Sequence, residues 1–277
     1  MSGSLSYLTS LFTASFGAGD SILDAVYGIG STASTQNPVQ ALAEAESNET
    51  QDLKITAAQP TVQHAITAFT NAVNSAKSVT QLLSNPAVMN VLLTANNMGD
   101  QIGYTALATQ ALTSDLSNSN SLANQLTDTR WKTLAATYNF AANGLQAIQN
   151  PAATASIAAA YTKAMWAKNE DSVTPGLSNA LAFKAQASTI TSVDQILGNP
   201  TFRTVVTTAL GIPQKIAFQD LGAQENAITS RINIKQFQDP KFVESFTQRY
   251  LIANNGSSTA SAPDLTTLAV QGQGILV

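Results

Sequence analysis

The chain carries one passage twice. Ala68-Phe69 followed by Ser78-Val79-x-Gln81-Leu82-Leu83-x-Asn85-Pro86 returns 114 residues later as Ala182-Phe183 followed by Ser192-Val193-x-Gln195-Ile196-Leu197-x-Asn199-Pro200. Val91, Thr94, Ala95 and Ile102 match Val205, Thr208, Ala209 and Ile216 at the same offset. With a slip of three residues, Asp128-Thr-Arg130-Trp131 aligns with Asp239-Pro-Lys241-Phe242, and each leads to a tyrosine, Tyr138 or Tyr250. Repetition at this spacing predicts duplicated helical units stacked on one another. It also assigns the shared residues to folding, because one active site has little use for two copies.

The punctuation between the apolar stretches is that of helix starts. Six prolines (Pro38, Pro60, Pro86, Pro151, Pro200 and Pro240) follow Asn, Asp or Gln. An Asn side chain accepts a bond from an orphan amide of the first turn, and proline has no amide there to satisfy. Ser78 with Gln81, and Ser192 with Gln195, have capping-box spacing. Val88, Val91, Leu92 and Ala95, and Phe202, Val205, Val206 and Ala209, then form buried stripes. Gly211 reads as a C-terminal cap. Asp128 and Asp239 cap the last helix of each unit, with Trp131, Leu134 and Tyr138, or Phe242, Phe246 and Tyr250, facing inward. Ile232-Asn-Ile234 is the one short strand candidate.

The expected fold is therefore all-α: two tandem, internally repeated multi-helix units packed as a helical domain, with flexible ends. The divisions are a flexible N-terminal segment (1–36), a first helical repeat unit (37–150), a connecting Ala-rich helix and loop (151–176), a second repeat unit (177–254) and a flexible C-terminal tail (255–277). The connecting helix is expected to end in a loop over 168–176, and 254–263 reads as a linker. Residues 1–36 also admit a second reading, as an uncleaved export signal or a helix induced by a partner.

Composition removes several functions. Charged residues make up 11% of the chain, against roughly 25% in typical domains. The thirteen Lys and Arg are dispersed and net charge is −4, so no basic cluster exists to displace the counterions of a nucleic acid. No stretch approaches the roughly 18 apolar residues of a membrane span. The first basic side chain is Lys54, so no secretory signal peptide is expected. The absence of cysteine rules out disulfides, thiolate metal sites and cysteine nucleophiles.

The search for chemistry nominates no catalytic, cofactor-binding or metal-ligating residue. His64 is the lone histidine; any Ser/His/Asp triad would have to run through it, and a structural surface role is the simpler reading. Glu44, Glu46, Glu49 and Asp52 could ligate a cation, but their spacing suits the solvated face of the first helix. Trp131, Tyr138, Phe242 and Tyr250 could line a pocket, but their recurrence at helical spacing favours core packing. No phosphate-cradling glycine loop is present, because Gly28-Ile-Gly30 lacks the third glycine.

The blocks at 78–99, 121–131 and 136–140, with Ala223-Gln-Glu-Asn-Ala-Ile-Thr-Ser-Arg231 and Gln238-Asp-Pro-Lys-Phe-Val-Glu-Ser-Phe246, resemble the alphaproteobacterial family of unknown function called DUF twelve-seventeen. The likeness covers about residues 37–252. Genes of that family commonly sit among flagellar genes. The resemblance thus implies a non-enzymatic, flagellum-associated structural or assembly protein whose partners are flagellar proteins. No cofactor, nucleic acid, membrane insertion or small-molecule substrate is expected. Freedom from cysteine, scarcity of His and Trp, and seven Ser or Thr among the first fifteen residues resemble proteins exported through the flagellar channel. A cytoplasmic adaptor or chaperone for flagellar subunits is the alternative. Terminal signatures of rod and hook proteins are missing, which argues against a bulk axial subunit.

Overall fold

Proline and its preceding cap set the helix starts in the structure, a computed structural model that describes residues 37–259. In chain order the helices are α1 (Pro38–Ala58), α2 (Pro60–Ser75), α3 (Val79–Leu83), α4 (Pro86–Ala95), α5 (Thr105–Leu112), α6 (Leu122–Gln125), α7 (Thr129–Tyr138), α8 (Phe140–Asn143), α9 (Gln146–Gln149), α10 (Pro151–Val173), α11 (Leu177–Gln186), α12 (Val193–Leu197), α13 (Pro200–Ala209), α14 (Leu221–Thr229) and α15 (Pro240–Thr259). Short 3-10 turns complete the pattern, and no strand occurs among the described residues. Of the segments expected to be flexible or signal-like, 1–36 and the 260–277 part of the 255–277 tail lie outside those residues, whereas 255–259 are helical.

The repeated words build matching local devices. Asn85 accepts from the Ala87 amide at 2.9 Å, and Asn199 from Thr201 at 3.0 Å. Ser78 and Ser192 each accept from the amide three residues on. The second box is reciprocal, Gln195 accepting from the Ser192 amide; in the first, Gln81 accepts from Lys77 instead. Past α13, Gly211 takes a left-handed φ of 63° and the Ile212 amide reaches the Thr207 carbonyl at 2.8 Å. Past α4, Asn97 takes φ 56° and the Met98 amide reaches the Leu93 carbonyl at 2.8 Å. Both are six-to-one closures that stop the helix and turn the chain. Asn stands in for Gly because it tolerates that backbone better than other side chains do.

Apolar residues gather in two clusters, and each holds one copy of the passage. The first contains Phe69, Leu82, Leu83, Val88, Val91, Leu92, Trp131 and Tyr138. The second contains Phe183, Ile196, Leu197, Phe202, Val205, Val206, Phe246 and Tyr250. In the second, Phe183 packs edge-on to Phe202 and Phe237 at centroid distances of 6.0 and 5.4 Å. Helix α10, about 35 Å long at 1.5 Å per residue, serves both: Ile157 and Tyr161 enter the first cluster and Trp166 the second. Helix α1 contributes Ala41, Leu42 and Ala45 to the second. The Thr129 amide, opening α7, donates to the Gly198 carbonyl at 2.9 Å and ties the two halves by backbone.

Four expectations need correction. Residues 168–173 are helical, not a loop, since no Gly or Pro interrupts before Pro175. Asp171 helps end α10 by accepting from the amides of Gly176 and Ser178 at 2.9 and 3.0 Å. Residues 254–259 continue α15 and are not a linker. Asn254 and Asn255 donate to the Pro175 carbonyl at 2.9 and 3.1 Å, so tertiary bonds override weak helix propensity. Ile232-Asn-Ile234 is no strand; Asn233 caps a 3-10 turn over Ile234–Gln238. Phe242 is half-buried, while Val243 takes the inward place.

Candidate functional site: the cleft between the two cores

One charged side chain is sunk into the joint between the halves. Asp128 caps α7 by accepting from the Arg130 amide at 3.0 Å, and the same carboxylate grips the Arg130 guanidinium. Arg130 is 8% exposed. Its Nη1 donates to the Asn97 carbonyl at 2.7 Å and to Asp100 at 3.0 Å; its Nη2 donates to Asp100 at 2.8 Å and to Asp128 at 2.7 Å. The left-handed turn at Asn97 aims that carbonyl at the guanidinium. Burial alone would weaken the arginine's hold on its proton, but the hydrogen bonds it donates to Asp128 and Asp100 outweigh it and the group stays charged. Burial would likewise raise Asp100, yet hydrogen bonds from Arg130 and Gln101 hold its carboxyl below the usual range.

The network belongs to one copy only. Where the first half has Asn97, Asp100 and Arg130, the second has Gly211, Gln214 and Lys241, and Lys241 is exposed. Around Arg130 open two neighbouring hollows of about 560 and 580 Å³, which share Ala95, Asn97, Arg130, Ala182, Gln186 and Thr201. Their walls come from α4, α7, α11 and α13, with α10 closing one side. The polar lining consists mainly of amides and hydroxyls. Every nitrogen of the guanidinium is already engaged with Asp128, Asp100 or Asn97. The arginine thus acts as a rivet, with no donor to turn on a substrate.

Residues weighed for chemistry in the sequence do not converge on this cleft. His64 is exposed on α2 and is not part of the lining. Glu46 pairs with Lys184 and Glu49 with Lys163, each at 2.5 Å, so two of the four α1 acids hold neighbouring helices. No cluster of three metal-ligating side chains occurs among the described residues. Trp131, Tyr138 and Tyr250 are buried in the cores, and burial pushes both phenols up.

The surface offers something different. Ile102 and Ile216 each pack against their own cluster, and two residues beyond each an aromatic stands in water. Tyr104 is 61% exposed and Phe218 is 90% exposed. They occupy the same place in the repeated passage, 114 residues apart. Sequence reading passed over both, although the matched isoleucines lay two positions away. It also missed Arg130 as a buried group, because its partners at 97 and 100 are remote in the chain.

A family model described as "Protein of unknown function (DUF1217)" matches residues 95–243. No curated protein matches the chain. Among solved structures, the X-ray structure of a protein from Agrobacterium tumefaciens is similar, with 25% identity and a TM-score of 0.67 over 77% of this chain and 91% of that one.

Proposed function

The chain belongs to the DUF1217 family, whose function is unknown, and from that premise we propose that it is a non-enzymatic, flagellum-associated structural or assembly protein working through protein–protein surfaces. The flagellar part of this reading rests on the resemblance. The surface part rests on one observation, the pair of exposed aromatics at Tyr104 and Phe218. Leaving an aromatic in water forgoes roughly 1.5–3 kcal/mol of burial and does nothing for the fold. Such side chains are the anchors most enriched in binding hot spots. Each follows a half-buried isoleucine packed against its core cluster, which restrains the anchor before docking.

The test is photo-crosslinking in motile cells, with a benzophenone amino acid placed at 104 or 218. The reading expects a discrete adduct with a flagellar protein from each position and none from exposed Lys77. Absence of adducts at both positions, with the protein expressed and folded, would overturn it. An adduct with an unassembled flagellar subunit confined to the cytosol would select the adaptor form over the structural one.

A further inference from the structure

Helix α1 is held by little apolar burial and by several charges. Of its 21 residues only Ala41, Leu42, Ala45 and Thr56 are buried, and Leu42 is the one large apolar side chain among them. Helix α4, with 10 residues, buries Val88, Met89, Val91, Leu92 and Leu93. What α1 lacks in apolar contact it makes up with charge. Glu46 pairs with Lys184 of α11, and that lysine also pairs with Glu244 of α15. Glu49 pairs with Lys163 of α10. Burial would lower the Lys184 ammonium, but hydrogen bonds to Glu244 and Glu46 keep it raised. One contact works against the grip: burial, and then the Asp52 charge, push the Glu170 carboxyl up.

Lys163, Trp166 and Glu170 follow one another at three- and four-residue spacing, so they share a face of α10. The first meets Glu49 and the last feels Asp52, which places that face beneath α1. Trp166, 1% exposed, is thus part of the bed that α1 covers. A natural pivot lies at the helix end. Gln59 is extended and gives no side-chain cap, Pro60 starts α2, and α2 belongs to the other core.

We infer that α1 is a releasable strap, clamped by Glu46–Lys184 and Glu49–Lys163 over Trp166, which opens as a unit while the first core and the rest of the second stay folded. Its release would bare an apolar bed on α10, α11 and α15. The device goes beyond the proposed function and does not depend on the aromatic anchors.

Two measurements on the full-length protein test it. The first is hydrogen exchange read by mass spectrometry at about 0.05 and about 1 M salt, where screening shortens from over ~10 Å to ~3 Å. Exposed pairs contribute little singly, so loss of both should speed exchange in Pro38–Ala58 by roughly three- to tenfold and leave Pro200–Ala209 unchanged. Lys163→Gln with Lys184→Gln should reproduce the effect at low salt, and the two Lys→Arg replacements should reverse it. The second is acrylamide quenching of Trp166 in a Trp131→Phe background, which should rise with salt. The inference fails if α1 and α13 exchange together under every condition, or if α1 protection is indifferent to salt and to both Gln replacements.

Discussion

Replacing Arg130 by methionine puts the buried charge network of the first half to a direct test. The change keeps much of the side chain's bulk and removes the charge. It strands the Asp128 and Asp100 carboxylates and the Asn97 carbonyl. Breaking a buried pair in this way costs about 3–5 kcal/mol. The Asp100 side chain is 49% exposed and Asp128 20%, so water relieves part of that loss, and about 2–4 kcal/mol is expected. For a helical body of this size that corresponds to a fall in Tm of about 5–12 °C by calorimetry. Adding Asp100→Asn and Asp128→Asn should recover part of the loss, because no unpaired charge remains and Asn still caps α7. The pH dependence has a definite sign. The folded Asp100 carboxyl lies below its unfolded value, so the network's contribution is complete above the ordinary carboxylate range. It is lost as pH falls through the lowered value. The Tm gap between the native protein and Arg130→Met should therefore close as pH drops from neutral toward about 3. An Arg130→Met protein melting within about 1 °C of the native one at neutral pH would refute the reasoning.

Five further substitutions read other parts of the fold. A methyl at Gly198 would lie 2.5 Å from the Thr129 side chain and 2.9 Å from the Thr127 carbonyl, so Gly198→Ala should cost about 1–3 kcal/mol in urea unfolding; a neutral result would mean the halves do not meet there. A Cβ at Gly211 meets nothing within 4 Å, so Gly211→Ala should pay only the left-handed backbone penalty, about 1–2 kcal/mol. The mirror change Asn97→Gly should be nearly neutral, and equal losses at both would contradict the shared closure. Trp131→Ala should cost about 3–5 kcal/mol, whereas half-buried Phe242→Ala should cost clearly less; the reverse order in thermal melts would unseat the core assignment.

Much of the architecture was legible because helix punctuation is local. Asn-Pro and Ser-x-x-Gln act over two or three residues, so Asn85, Ser192 and Asn199 could be read in advance as caps. The ends of α10 and α15 were not legible. Asn169 to Ser172 and Asn254 to Ser257 look like loop residues, and their helicity depends on contacts with Asp171 and the Pro175 carbonyl that only folding assembles. Arg130 was hidden for a related reason. Its match in the second copy, Lys241, is exposed, and the partners that hold Arg130 include the Asn97 carbonyl and Asp100, some thirty residues away. Tyr104 and Phe218 were within reach, because their common offset was already known. A conserved apolar type at matched positions resembles core, and exposure is a property of the packed chain.

The proposed role is tested most directly by following the protein in cells. Sheared flagella, culture supernatant and cytosol would be immunoblotted in the wild type, in a strain lacking the flagellar export apparatus, and in a wild-type strain carrying Tyr104→Ser with Phe218→Ser. The account predicts protein in the flagellar or secreted fraction, its loss in the export mutant, and weaker retention on flagella when both aromatics are removed. Protein confined to the cytosol in all three strains would contradict a structural role at the flagellum.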